Sequence, residues 1–456
     1  MNYDESVHAL LTLGRELAAP RQARLEKFAL NSISVLAADL GNPQLFAPCV
    51  HIAGTNGKGS TAAMLESILR SVGFRTGLYT SPHLERINER IRIDGEDIAD
   101  ADFAAVWAKT KASIERLMAS GGLAAHPSFF ECITAMAFLA FAEHRVDFAV
   151  YEVGLGGRLD ATNIVRPEVA VITSIDFDHE NFLGHSIEEI AREKAGIIKP
   201  GAWVVSSAER PEARAVIGRR CRELDARLLE VDDSWRIVRM DHVDGRYRAL
   251  VSSSRSDSTL TIEPPLPGRF QIRNALTAAT AARLLAERGF QISDEAIARG
   301  IATARWPGRL EQLSKRPAVY LDGTHNPAGA RELLNFWQEN FAGRRIILVY
   351  GAMRDKAVDE IAGILFARAD TVILTQPRQP RAVSASVLEE LTGHLAARSL
   401  VVRNPFEALE RALEIAAPDD AVFATGSLYL VGDLRAYWAA RKNSPKNLET
   451  SLPRQS

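Results

Sequence analysis

The fold of this chain is decided around residues 48–60, which read PCVHIAGTNGKGS. The apolar run over residues 48–53 predicts a buried strand, and the pattern from Ser60 to Val72 predicts a helix. A glycine-rich turn between a strand and a helix lets backbone N–H groups face a phosphate, and the helix dipole adds to the attraction. We therefore predict a phosphate-binding loop over residues 53–60.

Two side chains of this loop can act directly on a nucleotide. Lys58 can reach the β- and γ-phosphate oxygens, and the Ser60 hydroxyl can ligate Mg²⁺. The loop departs from the strict G-x-x-x-x-G-K-[ST] pattern because Gly59 separates Lys58 from Ser60. The alternative is a glycine-rich turn with an exposed lysine, and the loop alone does not say which class of nucleotide enzyme this is.

Short β-rich runs alternate with amphipathic helical stretches along the chain, which is typical of βαβ units around a mostly parallel sheet. Strands are predicted at residues 148–153 and 169–174, followed by an antiparallel excursion over residues 228–263 and a helix from Gln271. After a hinge containing Pro and Gly at residues 305–309, a second alternating set begins. Its predicted strands are residues 318–322, 346–350, 372–374 and 421–423.

These patterns predict an α/β protein with two domains, as the length of 456 residues also favours. Residues 1–303 are predicted to form a nucleotide-binding domain on a mostly parallel sheet. Residues 304–441 are predicted to form a Rossmann-like α/β domain. The tail, residues 442–456, is rich in Ser, Pro, Asn and Lys and is predicted to be disordered.

The composition excludes several classes of protein. With a formal net charge of −2, the chain has no global basic field for nucleic acid or anionic membranes. The three cysteines lack CxxC spacing and are expected to be reduced thiols. The N-terminus has no signal-peptide pattern, and the apolar run at residues 132–142 is too short for a bilayer, so we expect a cytoplasmic protein. No extended apolar seam is visible, so we expect a monomer.

Polar side chains follow three of the predicted strands. Ser81, Glu152 and His179 would meet at one edge of the sheet, close to the phosphate loop. Each has a structural alternative (turn former, helix cap and loop histidine), but their joint placement favours a Mg²⁺ site. Lys194 is unexpected, because a cation beside a metal should be repelled; its alternative is a lysine on a helix surface.

Taken together, these strings resemble the folylpolyglutamate synthase and dihydrofolate synthase family of the Mur ligases over residues 20–440. The matching strings are AGTNGKGS at 53–60, YTSPHL at 79–84, YEVGLGGRLDATN at 151–163, SIDFDH at 174–179, REKAGIIKPG at 192–201, WPGRLE at 306–311, LDGTHNPAGA at 321–330 and ATGSLYLVGD at 424–433. The resemblance implies a P-loop ATPase domain and a C-terminal domain that closes over a cleft. It also implies ATP-dependent ligation of L-glutamate to a pterin-linked carboxylate through an acyl phosphate.

The resemblance implies roles for individual residues. ATP would be bound by Gly57, Lys58, Gly59, Ser60, Asn274, Arg309 and Asp322. Two Mg²⁺ ions would be held by Ser60, Ser81, Glu152, His179 and Lys194, and catalysis would use Lys58, Glu152, His179 and Lys194. Lys194 matches a lysine that is carbamylated in the family, which would turn it into an anionic ligand. Activation by a monovalent cation is a further family property.

The resemblance also implies substrate contacts. His325 and Ser427 match residues at the glutamate end of the site. The pterin pocket would take in Ser128, Phe129, Phe130, Leu159, Asp160 and Ala161, because an aromatic ring can stack on a pterin. A pair of phenylalanines on an apolar helix is, alternatively, part of the core.

Several activities stay open. The chain could be a bifunctional dihydrofolate synthase/folylpolyglutamate synthase, an enzyme with only one of these two activities, or another Mur-type amide ligase. Residues 25–28 (LEKF) loosely resemble a segment that contacts dihydropteroate in bifunctional members, which favours the first. A peptidoglycan ligase would need an additional N-terminal domain, for which the loop at residue 53 leaves no room. A nucleotide-binding regulator would not need the metal-binding residues.

Overall fold

The structure, a computed structural model, describes residues 2–13, 30–255 and 257–442. Residues 25–28 and the tail beyond residue 442 lie outside the described residues. The chain divides into two units between Arg305 and Trp306, and the short segment Leu266–Arg269 belongs to the second unit.

The first unit is organised around a sheet of eight strands among the described residues, in the order β4-β3-β2-β5-β1-β6-β7-β8. All neighbours from β2 to β8 pair in parallel, and β3 and β4 add antiparallel strands at one edge. The strands are β1 Cys49–Ala53, β2 Thr76–Tyr79, β3 Ile91–Ile93, β4 Glu96–Asp97, β5 Phe148–Glu152, β6 Val169–Ile172, β7 Trp203–Ser206 and β8 Arg227–Glu230.

Helices cover both faces of this sheet, as expected for parallel strands that are buried on each side. They are α1 Tyr3–Thr12, α2 Asn31–Asp39, α3 Lys58–Ser71, α4 Asp100–Ala119, α5 Phe129–Glu143, α6 Glu180–Leu183, α7 Ile187–Ala195, α8 Pro211–Glu223, α9 Val231–Ser234, α10 Phe270–Glu287 and α11 Asp294–Thr303. The central strands β1, β5 and β6 are buried at every residue. This rigid centre carries the loops that follow its strands.

A small antiparallel sheet in the order β11-β10-β9 interrupts the first unit. Its strands are β9 Trp235–Val243, β10 Arg246–Ser253 and β11 Thr259–Ile262. The predicted excursion over residues 228–263 therefore begins too early, because Arg227–Glu230 pairs in parallel with β7. A short apolar strand does not reveal from sequence which sheet it joins.

The second unit contains, within its described residues, a sheet in the order β12-β13-β17-β14-β15-β16 that is parallel except for β12. Its strands are β12 Glu311–Lys315, β13 Ala318–Leu321, β14 Ile346–Tyr350, β15 Thr371–Leu374, β16 Ser399–Val401 and β17 Ala421–Thr425. Its helices are α12 Pro327–Asn340, α13 Val358–Leu365, α14 Ala385–Thr392, α15 Pro405–Ile415 and α16 Leu428–Lys442. The prediction of an α/β fold with two mostly parallel sheets is confirmed.

Three further expectations from the sequence can be compared with the structure. The apolar run at residues 132–142 lies in the buried helix α5. Each of the three cysteines is a buried thiol. Throughout the part of the chain that the structure describes, every helix is too short or too polar to cross a bilayer.

Candidate active site

The loop after β1 is held in place by residues at the end of β6. Thr55 N donates to the Ser174 carbonyl at 2.7 Å, and Thr173 Oγ1 donates to the Asn56 carbonyl at 2.7 Å. The sequence pattern extended strand β6 to Ser174, but the strand ends at Ile172. Thr173 and Ser174 are therefore loop-binding residues that the sequence analysis missed, and their signal is two hydroxyls directly after an apolar strand.

Two glycines of the loop are required by space as well as by conformation. Gly54 has φ +150°, and a Cβ atom there would lie 1.8 Å from Thr173 Oγ1. Gly57, with φ +85°, precedes α3, and a Cβ atom there would lie 2.3 Å from Asn274 Oδ1. Since a left-handed φ disfavours any residue with a Cβ atom, the loop has this shape only with glycine at both positions.

Two lysines converge on this loop from different elements. Lys58 Nζ donates to the carbonyl oxygens of Gly54 and Thr55, each at 3.0 Å. Lys194, near the end of α7, is only 4% exposed, and its Nζ donates to the same Gly54 oxygen at 2.7 Å. The alternative of a surface lysine at position 194 is therefore wrong. Positive charge is concentrated where the sequence predicts that phosphate binds.

The predicted metal-binding side chains follow neighbouring strands of the first sheet. Glu152 at the end of β5 is 5% exposed, and its Oε2 accepts a hydrogen bond from Ser81 N at 3.2 Å. Ser81 follows β2, which pairs with β5. His179 follows β6 with φ +51°, and its Nε2 lies 3.8 Å from Asp178 Oδ2.

The loop after Glu152 is built around the carboxylate of Asp160, which is 5% exposed. Its Oδ2 accepts from Gly154 N at 3.0 Å and Leu155 N at 2.9 Å, and its Oδ1 accepts from Thr162 N at 3.0 Å and Thr162 Oγ1 at 2.5 Å. Burial raises the pKa of this carboxyl, while the four hydrogen bonds lower it. Asp160 thus shapes the loop that carries Leu159 and Ala161.

The same loop lies directly against the end of α7, which carries Lys194. A Cβ atom on Gly157 would approach the carbonyl oxygens of Glu193 and Lys194 to 2.9 and 3.0 Å. Arg158 N donates to the Glu193 carbonyl at 2.8 Å, and Asn163 Nδ2 donates to the Gly196 carbonyl at 3.1 Å. The segment after Glu152 therefore sets the position of Lys194, a function that the sequence analysis did not assign.

The aromatic residues predicted for the pterin pocket lie at the start of α5. Ser128 is the N-cap, and its Oγ accepts from Glu131 N at 3.2 Å. The Phe129 ring lies under the Arg90 guanidinium, 5.2 Å from its carbon, and the half-buried Phe130 ring packs 6.2 Å from that of Tyr79. Both rings are half-buried, so the structure leaves part of each accessible.

Asn274, predicted to bind ATP, contacts the phosphate loop from α10. Its Nδ2 donates to Gln271 Oε1 at 2.9 Å, and Gln271 Nε2 in turn lies 3.5 Å from Ser60 Oγ. The completely buried Gln271 thus links Asn274 to the loop. The sequence pattern marks Gln271 only as the start of a helix.

In the second unit, the predicted residues meet after the neighbouring strands β13 and β17. Asp322, 4% exposed, accepts from Leu310 N at 2.9 Å and Thr324 N at 3.0 Å. A Cβ atom on Gly323 would lie 2.1 Å from Arg309 Nη1, which places Arg309 beside this turn. His325 Nδ1 lies 2.8 Å from the Gly323 carbonyl oxygen.

Ser427 belongs to the same edge of the second sheet. It follows β17, is 2% exposed, and its Oγ accepts from Tyr429 N at 3.2 Å. The turn around it is joined to that after β13 by a hydrogen bond from Gly426 N to the Thr324 carbonyl at 3.0 Å. Arg309, Asp322, His325 and Ser427 therefore share one edge of this sheet, where open α/β sheets bind ligands.

Two histidines of the first unit, His51 and His83, are held in a neutral form. Burial lowers the pKa of His51 to about 3, with a smaller effect from Lys199. Burial and then Arg90 lower the pKa of His83 to about 3, and Arg90 Nε donates to His83 Nδ1 at 3.0 Å. Neither is a candidate for acid–base chemistry near neutral pH.

The oxygen ligands near the phosphate loop are of the kind that binds Mg²⁺. Among the described residues, no three His, Cys, Asp or Glu side chains form a group that could hold a metal ion. Mg²⁺ is usually bound by one or two carboxylates together with substrate phosphates and water. The buried carboxylate of Glu152 and the hydroxyl of Ser60 are hard oxygen ligands of that kind.

Comparison with known proteins places this site in a family. Residues 52–282 match the Mur ligase middle domain, and residues 308–428 match the Mur ligase, glutamate ligase domain. The chain is 37% identical over 412 residues to the dihydrofolate synthase/folylpolyglutamate synthase of Bacillus subtilis, covering 90% of this chain and 94% of that one.

Two solved structures resemble the fold closely. Mycobacterium tuberculosis folylpolyglutamate synthase complexed with ADP has a TM-score of 0.86 at 33% identity, covering 96% of this chain and 98% of that one. E. coli FolC in complex with DHPP and ADP has a TM-score of 0.80 at 32% identity, covering 93% and 99%. The chain therefore belongs to the dihydrofolate synthase/folylpolyglutamate synthase family of the Mur ligases.

Proposed function

We propose that this protein uses ATP to join L-glutamate to dihydropteroate and to the glutamyl tail of reduced folates, through an acyl phosphate. The observation that carries the proposal is that Lys58 and Lys194 both donate to the Gly54 carbonyl oxygen. Glu152, which accepts from Ser81 N, comes directly before the segment that positions Lys194. A lysine on a glycine-rich loop and a buried carboxylate are suited to a metal-assisted phosphoryl transfer.

The reaction needs the carboxylate of the acceptor to be activated. A carboxylate is a poor electrophile until one oxygen receives the γ-phosphoryl group, after which the amino group of glutamate can displace phosphate. Lys58 would stabilise the negative charge on the transferring group, and the backbone N–H groups at the start of α3 would hold the other phosphates. In the second unit, Arg309 and Asp322 would contact the nucleotide, and His325 and Ser427 would contact glutamate.

Mg²⁺ would be held by Ser60, Ser81, Glu152 and His179, with two ions as the proposed number. When bound, it would supply charge neutralisation at the phosphates. We further propose that the pterin lies against Phe129 and Phe130, near Leu159 and Ala161. We also propose that the protein is a cytoplasmic monomer activated by a monovalent cation.

We propose that Lys194 becomes carbamylated. In this reaction the neutral Nζ attacks CO₂, an N–C bond forms, and a proton is released. The product is an anion, which removes the repulsion between a lysine and a nearby Mg²⁺. Protein supplied with ¹³C-bicarbonate should show a carbamate carbon signal that is absent in Lys194→Gln. An unchanged signal in that variant would contradict the assignment independently of activity.

The function is tested by following phosphate release with ATP, Mg²⁺ and L-glutamate, with dihydropteroate and tetrahydrofolate offered in parallel and products identified by mass. Glutamate adducts of both acceptors are expected. Without glutamate, added hydroxylamine should trap the acyl phosphate as a hydroxamate. An adduct with tetrahydrofolate alone would indicate a monofunctional folylpolyglutamate synthase. A folded protein that binds ATP but modifies neither acceptor would overturn the folate assignment.

A further inference from the structure

A cleft in the second unit lies at the same edge of the sheet as Ser427 but after different strands. It has a volume of about 600 Å³ and is formed by segments that follow β15 and β16. Because the sheet order is β17-β14-β15-β16, three strand separations lie between Ser427 and the segment after β16. At about 4.8 Å per separation this is roughly 14 Å.

The lining of the cleft carries two guanidinium groups and a flat aromatic wall. Arg378 and Arg403 are both exposed and both line the cleft. The Arg378 guanidinium carbon lies 5.5 Å from the centroid of the Phe406 ring, which stacks on Tyr437 at 4.9 Å. Arginine binds carboxylates through two parallel hydrogen bonds, so this lining favours a ligand with several carboxylates.

The backbone around both arginines is anchored. Arg378 N donates to Asp433 Oδ2 at 3.0 Å. The Arg403 carbonyl oxygen accepts from Thr375 Oγ1 at 3.2 Å and from Gln376 N at 3.3 Å. The two guanidinium groups therefore extend from fixed positions, and binding a ligand requires ordering only of their side chains.

One carboxylate also lines the cleft. Glu407 Oε1 accepts from Asn404 Nδ2 at 3.4 Å, and its side chain is exposed. Its negative charge offsets only one of the two arginines, so these three groups leave the lining with a net positive charge. A bound anion would be repelled by Glu407. Removing the negative charge of this residue should therefore strengthen the binding of an anion.

We propose that the cleft binds the γ-glutamyl tail of the acceptor. This inference rests on the proposed function, because a tail of γ-linked glutamates keeps one α-carboxylate on each unit. A tail whose end is placed near Ser427 would need to extend across about three strand separations to reach Arg403. The two arginines bind α-carboxylates of the tail, and the Phe406 ring, stacked on Tyr437, supports the Arg378 guanidinium.

Direct binding tests the cleft separately from the reaction. Tetra-γ-glutamate is titrated into the full-length protein by calorimetry at low salt, without ATP. Exposed ion pairs change an equilibrium constant by about 1.5- to 5-fold each. We therefore expect Arg378→Ala/Arg403→Ala to weaken binding by about 2- to 25-fold and Glu407→Gln to strengthen it. Arg411→Ala is the matched control, because Arg411 is an exposed arginine outside the cleft lining, on the helix α15 that carries Glu407, and is paired with Glu414.

Tail-length dependence tests the cleft in turnover. The double arginine variant should raise KM for tetrahydrofolate with four glutamates by a similar factor, and change KM for dihydropteroate by less than twofold. An equal rise for both acceptors would overturn the assignment, as would wild-type affinity of the double variant for tetra-γ-glutamate. Displacement of the peptide by an equal concentration of inorganic phosphate would also overturn it, since the site would then be a general anion site.

The two proposals fail in different ways. A protein that adds glutamate but binds tetra-γ-glutamate equally well with and without the arginines retains the proposed function and loses the cleft. A protein that adds no glutamate to any acceptor, yet loses peptide affinity in the double variant and gains it in Glu407→Gln, retains an oligocarboxylate cleft and loses the proposed function.

Discussion

Lys58 and Lys194 donate hydrogen bonds to one and the same oxygen, the carbonyl of Gly54, at 3.0 and 2.7 Å. In the uncarbamylated protein the two ammonium groups therefore lie within about 6 Å of each other, a range in which like charges repel. One belongs to the phosphate loop and the other to α7, 136 positions later in the sequence. An anion bound at this loop would relieve that repulsion.

Because both lysines bind the same oxygen, we expect their substitutions to have non-additive effects on the free energy of unfolding. Repulsion is relieved once either lysine is removed, and Gly54 O loses both of these donors only when both are removed. The variant Lys58→Met/Lys194→Met should therefore be less stable than the sum of the single effects predicts, by about 0.5–3 kcal/mol. Urea denaturation without ATP and bicarbonate measures this. Lys111→Met, at a partly exposed lysine on α4, should combine additively with Lys58→Met; additivity of the Lys58–Lys194 pair would contradict the prediction.

Alanine substitutions at two glycines with similar backbone conformation should affect ATP affinity differently, because only one of the two lies in the phosphate loop. Gly57 has φ +85° and a Cβ atom there would meet Asn274 Oδ1 at 2.3 Å, whereas Gly73 has φ +93° and nothing within 4 Å. Gly73→Ala should cost only the conformational strain, about 1–2 kcal/mol. Gly57→Ala should in addition lower ATP affinity more than tenfold. Both are measured by ATP titration and thermal unfolding, and equal ATP affinity in the two variants would refute the steric argument.

Because the loop after Glu152 packs against α7, we expect a substitution in this loop to lower turnover by displacing α7. Gly157→Ala places a Cβ atom 2.9 Å from the Glu193 carbonyl oxygen, so α7 and Lys194 must move. The expected result is a fall in kcat of at least tenfold. Gly363→Ala is the control, since nothing lies within 4 Å of that position, and in helix α13 it should stabilise the protein by about 0.5–1 kcal/mol. Similar kcat for both variants would show that α7 tolerates the shift.

The buried histidine of β1 predicts acid sensitivity. The Thr162 hydroxyl donates to Asp160, so His51 Nε2, 2.7 Å from Thr162 Oγ1, is the donor of that pair. Because burial lowers the pKa of His51 from 6.5 to about 3, the unfolded chain binds a proton between these values that the folded chain does not. The free energy of unfolding should therefore fall as pH falls below 6.5, by up to about 1.4 kcal/mol per pH unit for this group.

The variant His51→Gln checks this sign. Denaturation between pH 4.5 and 7.5 should show a slope smaller by about one proton than in the wild type. His185→Gln is the control, because the His185 side chain is 70% exposed, and it should keep the wild-type slope. A wild-type slope in His51→Gln would mean that another group controls the acid sensitivity.

Much of this protein can be predicted from the sequence because its signals are local. The apolar strands around residues 49–53 and 148–152, the glycine-rich turn and the following helix are each specified by neighbouring residues, and these elements are found where predicted. The change from one alternating set to another near residue 305 has the same local origin, in Pro and Gly.

Other features depended on contacts between distant segments. No local pattern shows that Lys194 is buried, that Gly157 lies against Glu193, or that Thr173 holds the loop at Asn56, because each contact joins residues of different strands and helices. Likewise, Arg227–Glu230 reads as part of the antiparallel excursion, and only pairing with β7 assigns it to the parallel sheet. The sequence by itself determined which chemical groups follow each strand. The tertiary structure decided which of them share an oxygen, a turn or a cleft, because strand order and helix packing set those distances.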